Sequence, residues 1–233
     1  MEHKPETTDR EISMPVITSS VDKIASTMME YLEAGRLVPG QRLIETELAA
    51  QFGVGRNAIR EAMQRLAARG VVDLSRHRSA AIRKLDHAEL HEVLDVAGAM
   101  TGLAASTAAR HAHSSPFTGE MTSAVQLLKE AVECQDDELF SKARRQFYRA
   151  LLLIGGNREI QRLFPAIGMH IIYSQFRSTR MQMIRLADYG LIHDAIYARD
   201  PVAAEAISRR HVENIRGEVG RIYKQFSAPS STA

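Results

Sequence analysis

Residues Gly40 to Gly70 constrain this chain more than any other stretch. They read as two short helices joined by a tight turn at Gly53-Val54-Gly55. At about 100° per residue, Ile59, Ala62, Met63 and Leu66 of the second helix fall on one stripe. Arg56, Arg60 and Gln64, at i, i+4 and i+8, form another stripe pointing well away from it, with Asn57 alongside. Such a helix anchors itself by one face and offers on the other the side chains that read base edges. Arg pairs bidentately with guanine, and Asn or Gln with adenine. On these residues alone two readings stay open: a helix that reads a major groove, or an amphipathic helix with a solvated charged face.

The next segment favours the first. Val71–Ser75 and Ser79–Lys84 have the composition of two short strands, with Arg76-His77-Arg78 at their turn. From Arg56 to Lys84 there are eight Lys and Arg against two acids. That local excess suits a phosphate-lined partner. Helix-turn-helix followed by a basic-tipped hairpin is the plan of a winged helix-turn-helix.

The segments Pro39–Glu45, Leu48-Ala49, Val54–Ala62 and Leu66–Val72 resemble the N-terminal domain of GntR-family bacterial transcription regulators. The helical remainder resembles the ligand-binding (FCD-type) domain of that family's FadR-like branch, and the likeness runs roughly from residue 19 to 225. It implies a DNA-binding regulator, repressive by default, that senses a small molecule. It also implies that Arg56 and Arg60, with Asn57 between them, touch bases, and the shared stripe adds Gln64. His77 and Arg78 are the corresponding wing contacts. The chain departs from the family at Gly55, where a capping Ser is usual, and at Ser79, where the wing tip usually has Gly. Arg65 and Arg69 lie off the base-facing stripe and are left for phosphates or the second domain. Glu45 and Glu47 read as acids complementing the positive end of their helix.

Many FadR-like domains hold a metal with an Asp and a His four residues apart, then two later histidines. Placed on that pattern, this chain has Arg144 at the Asp position, Tyr148 at the first His position, and His193 and His211 as the later pair. Ala97 stands where the branch tends to aim an Arg at its ligand. A divalent ion wants three or four donors, so no bound metal is expected. A divalent metal retained at His193 and His211 is the alternative. Arg144, Tyr148, His193 and His211 are expected instead to converge on a small carboxylate or phosphate, because a guanidinium offers a fork of donors.

Composition adds limits. The formal charge is +2, with 13 basic and 11 acidic residues over 1–85 and 17 of each over 86–233. Neither half coats nucleic acid indiscriminately; only the stretch after Val54 is basic. A single cysteine, Cys134, excludes an intrachain disulfide framework. The polar start Met1–Pro15 does not read as a signal peptide. The apolar run Ala150–Ile154 is far too short to span a bilayer, so a soluble cytoplasmic protein without membrane partners is expected. His87/His91 and His111/His113 have no acids or thiols clustered around them and read as surface residues.

The expected fold is mainly α: a winged helix-turn-helix over 18–85 with a small β-hairpin, then an antiparallel bundle of about six helices over 86–226. Tails at 1–17 and 227–233 flank them. Helix breaks are expected at Ser114-Ser115-Pro116, Gln135-Asp136-Asp137, Gly155-Gly156-Asn157, Ser178-Thr179 and Arg199-Asp200-Pro201, with Pro165 and Gly168 bending the helix that begins near Asn157. A homodimer is expected, since one short helix reads too few bases for genomic specificity and a two-fold dimer meets a palindrome. Enzyme chemistry is not expected, for no nucleophile with a base and no carboxylate pair stands out. A metalloenzyme-like bundle at His193 and His211, or a winged module used for protein contact, are the remote readings.

Overall fold

Apolar residues at helical spacing set the first element. Val21, Ile24, Ala25, Met28 and Leu32 line one face of α1 (Ser20–Glu33) and are all buried. The computed structural model describes residues 20–74 and 80–227. Gly35, at φ +76°, turns the chain out of α1 in a conformation that disfavours a side chain. Next come α2 (Glu45–Phe52) and α3 (Arg56–Ala68), separated by Gly53 in the left-handed region. The Gly53 N–H closes the end of α2 on the carbonyls of Ala49 and Ala50. The hairpin arms are β1 (Val72–Asp73) and β2 (Ala81–Ile82), antiparallel with Val72 opposite Ile82. Both arms are shorter than the sequence suggests. β2 also pairs on its other side with the segment before α2: Leu43 N–H donates to Ala80 O, and Ile82 N–H to Gln41 O. The wing is thus braced by a third extended segment that carries no strand pattern of its own. The tip residues His77, Arg78 and Ser79 lie outside the described residues.

Asp86 opens α4 (His87–His111) with a reciprocal cap: its carboxylate accepts from Glu89 N–H, and the Glu89 side chain accepts from Asp86 N–H. The bundle continues with α5 (Thr118–Glu133), α6 (Asp137–Gly155), α7 (Arg158–Leu163), α8 (Met169–Gln175), α9 (Thr179–Tyr197) and α10 (Pro201–Ser227). Asp136, Asn157, Ser178 and Asp200 cap the starts of α6, α7, α9 and α10, the punctuation the sequence implies. Pro165 and Gly168 do more than bend a helix. A 3₁₀ turn at Phe164–Ala166 and a left-handed Gly168 (φ +86°) divide it into α7 and α8. Proline removes a backbone donor and glycine reverses the chain, so the α-helical ladder cannot run through. The bundle therefore has seven α-helices among the described residues.

The two parts share a core. Leu32, Ile59, Leu66 and Ile82 of the winged domain belong to one buried apolar cluster with Leu90, Leu94, Ile171, Ile172 and Ile215 of the bundle. A second cluster, around Phe140, Phe147, Leu151, Tyr189 and Ile196, fills the far end. At the seam the Gln175 side chain clasps Leu85, donating to its C=O (2.9 Å) and accepting from its N–H (3.0 Å).

Candidate functional site

The sequence of α3 sorts its side chains as the wheel requires. Ile59, Ala62, Met63 and Leu66 are buried, while Arg56, Asn57, Arg60 and Gln64 are all exposed on one face. Gly55 stands at the helix start in extended conformation (φ −71°, ψ 150°) and supplies no capping oxygen. Glu45 does more than complement a dipole. Its two oxygens accept from Arg60 Nε (3.0 Å) and Nη2 (2.7 Å), fixing one edge of the guanidinium. That hydrogen bond, with Arg56's charge assisting, holds the Glu45 carboxyl below the usual range. The other edge, Nη1 with the second hydrogen of Nη2, is turned away from the acid and matches guanine O6 and N7. An exposed ion pair in water is weak and screened by salt, so Glu45 orients Arg60 without sequestering it. Arg65 bonds Asp22 of α1 and Glu61 (2.8 Å), tying α3 to α1 inside the winged domain.

The second site is buried. Phe140, Ala143, Phe147 and Leu151 seat α6 against the bundle, and Arg144 and Tyr148 share that inward face, 5% and 8% exposed. The Arg144 guanidinium lies 4.3 Å from the Tyr173 ring centre and 5.3 Å from that of Tyr148. Arg185 of α9 approaches Tyr173 at 4.7 Å, is 3% exposed, and makes no hydrogen bond or ion pair among the described residues. Burial, with Arg144's charge adding to it, brings the Arg185 guanidinium down to about 10. Tyr189 stacks on Phe147 (4.5 Å), donates to the Tyr148 hydroxyl (3.4 Å), and lies 4.9 Å from the His211 ring. His211 Nδ1 bonds Asp188 (2.9 Å). Burial tends to raise the Asp188 carboxyl, but hydrogen bonds from His211 and Asn214 outweigh it and hold it low. Burial lowers the His211 imidazole, with Asp188 opposing. Its Nε2, like Arg144 Nε and His170 Nε2, is buried without a partner among the described residues.

Of the four pocket residues expected from sequence, the fold gathers Arg144, Tyr148 and His211 but not His193. His193 bonds Asp194 (2.9 Å) and the Thr122 hydroxyl (3.1 Å) and stacks on Tyr197, on the side of α9 facing α5. Tyr189, one turn earlier, holds the inward position. Arg185, Tyr173 and Asp188 are cluster members the sequence reading missed. A charged pair inside the buried stripe Met181-Arg185-Asp188-Tyr189-Ile192 was the available signal. The cluster does not suit a divalent ion. Among the described residues no three His, Cys, Asp or Glu side chains gather, and the positive charges of Arg185 and Arg144 bear on the His211 imidazole.

A helix with an exposed stripe of Arg, Asn and Gln on a winged scaffold, joined to a helical body with a buried polar cluster, is the architecture of a DNA-binding regulator that senses a small molecule. Residues 21–82 match the family described as bacterial regulatory proteins, gntR family, and residues 92–214 match the FCD domain. The chain belongs to the gntR family of bacterial transcription regulators, with an FCD domain as its C-terminal part. It is 28% identical over 199 residues to a probable D-xylose utilization operon transcriptional repressor of Paenarthrobacter nicotinovorans, covering 84% of this chain and 86% of that one. It is 28% identical over 209 residues to the galactonate operon transcriptional repressor of Escherichia coli (80% and 91% covered). The fold matches E. coli McbR/YncC with a TM-score of 0.71 over 90% of this chain and 99% of that one, at 20% identity. No helix among the described residues is long and apolar enough to cross a membrane.

Proposed function

We propose that this regulator represses transcription as a cytoplasmic homodimer, each α3 entering the major groove of one half of a palindromic operator. Arg56, Asn57, Arg60 and Gln64 read bases there, with His77 and Arg78 at the wing. The exposed Arg56–Gln64 stripe, set opposite a fully buried one, supports this reading. A mobility shift with the DNA upstream of the chain's own gene tests it. Binding must be sequence-selective and fall steeply with salt; equal affinity for random DNA refutes it.

The effector we assign to the buried cluster is a small hydroxylated acid, a carboxylate or a phosphate ester. The observation that carries this is Arg185, a buried cation with no acid partner among the described residues, whose charge bears on His211, itself with an unpartnered Nε2. A charged group left unpaired in a dry interior is costly, and an anion on Arg185 and Arg144 removes that cost. A ligand hydroxyl can donate to His211 Nε2, while Asp188 fixes the ring. The galactonate operon repressor among the relatives agrees with a sugar acid, and the D-xylose operon repressor with a sugar-derived ligand. Calorimetric titration of D-galactonate, other aldonates and sugar phosphates into wild type and Arg144→Ala or Arg185→Leu decides it. Equal affinities in all three proteins refute the pocket.

A further inference from the structure

The last residue of α1 is a carboxylate, placed where the helix dipole disfavours one, and it belongs to the DNA-reading domain. Glu33 is nonetheless 3% exposed and sits inside the bundle's basic cluster. Its Oε2 is 2.6 Å from Arg145 Nη1, and its Oε1 is 3.6 Å from Arg144 Nη1. Its backbone carbonyl accepts from the Ser141 hydroxyl (3.1 Å), which in turn meets the Tyr173 hydroxyl (2.7 Å). The other end of α1 is tied to the reading helix by the Asp22–Arg65 pair, and Ile24, Met28, Ile59 and Met63 share one core. One carboxylate thus links the helix that supports α3 to a guanidinium of the effector cluster.

We propose that Glu33 is a tethered counter-ion of the effector site, and that an anionic effector arriving at Arg144 evicts it and unseats the end of α1. The inference rests on the reading of the cluster as an anion site. Glu33 is tolerated in a dry interior because two guanidiniums compensate it. An effector that claims Arg144 removes one of these and brings a like charge close. Arg145, about a third exposed, remains as the partner on the solvent side. Glu33 then moves toward Arg145 and water, and α1 moves with it. The winged domain changes its seat on the bundle, and with it the spacing of the two reading helices in a dimer. The coupling is reciprocal: DNA that holds α1 in its present seat must weaken effector binding by the same factor.

Hydrogen exchange on the full-length protein, with inorganic phosphate as the probe anion, tests this. In wild type, saturating phosphate should raise exchange of amides at 30–37 and around Leu85 by about tenfold, a coupling of ordinary size. In Glu33→Gln those amides should exchange fast without phosphate and gain nothing from it, and phosphate should bind about tenfold more tightly. Tighter binding by the variant with no change in wild-type exchange on saturation leaves only a through-space effect and overturns the proposal. Equal phosphate affinity in the two proteins overturns it as well. If neither protein binds phosphate saturably, the anion site itself fails and the inference goes with it. The phosphate-free comparison still reports separately whether Glu33 seats α1. The wild-type arm stands without the variant should Glu33→Gln fail to fold.

Discussion

Acid should loosen this protein through one imidazole, by an amount the structure sets. His170 of α8 is about nine-tenths buried, and its Nε2 has no partner among the described residues. Burial, then the nearby charge of Arg144, then those of Arg69 and Arg83, push the imidazole down to about 3 from its ordinary 6.5. The native state therefore holds His170 neutral, and the stability this contributes is fully present above about pH 6.5. As pH falls below 6.5 the unfolded chain takes up the proton and the native one does not, so stability is lost until pH reaches about 3. Each pH unit well inside that window costs about 1.4 kcal/mol, so His170 alone costs about 2–3 kcal/mol between pH 7 and pH 4.5. Urea unfolding of wild type and His170→Leu at both pH values isolates the effect, because the carboxylates and His211 titrate in both proteins. The variant should lose about 2–3 kcal/mol less on acidification. At pH 7 it should be as stable as wild type or more so, since leucine leaves no polar atom unsatisfied. An identical acid loss in the two proteins refutes the reasoning.

Three further outcomes can be checked. Arg60→Ala should weaken operator binding about 5- to 150-fold and relax preference at the base it reads, measured by titration of operator variants. An equal loss on operator and random DNA makes Arg60 a phosphate contact. Gly55→Ser should raise the urea midpoint by about 0.5–1 kcal/mol of stability. Its backbone suits any residue, an added Cβ meets nothing within 4 Å, and serine caps the helix while stiffening the unfolded chain. Gly35→Ala should cost about 1–2 kcal/mol in the same assay, because φ is +76° and the new methyl displaces Arg177 from Asp137.

What could be read from the residues was whatever repeats along one helix. The burial of Ile59, Ala62, Met63 and Leu66 opposite Arg56, Arg60 and Gln64 follows from the 3.6-residue period, and the breaks before α6, α7, α9 and α10 from the Gly, Asp, Asn, Ser and Pro residues that mark them. Pairings across the chain were not legible. Glu45 and Arg60 are 15 positions apart on different helices, and Glu33 and Arg145 are 112 apart; no local pattern announces either. The extended segment Gln41–Leu43 owes its pairing to β2 and lacks strand character. His193 drew attention as a histidine, yet the inward stripe of α9 runs through Arg185 and Tyr189. An error of one turn within a helix moves a residue to a different neighbour. Arg185 was hidden because a cation in an apolar stripe reads as a break in the pattern unless the opposing Tyr173 is known.

The clasp of Gln175 on Leu85 bears on how such proteins can be recombined. One amide occupies both the donor and the acceptor of the backbone where the winged domain gives way to the bundle, so the connection is a fitted joint and not a slack tether. A foreign winged domain spliced on at that point inherits the joint only if its last residue presents an extended backbone to the same amide. Chimeras cut a few residues to either side would lose that clasp and leave the shared apolar core and the Glu33 contacts to hold the two parts together.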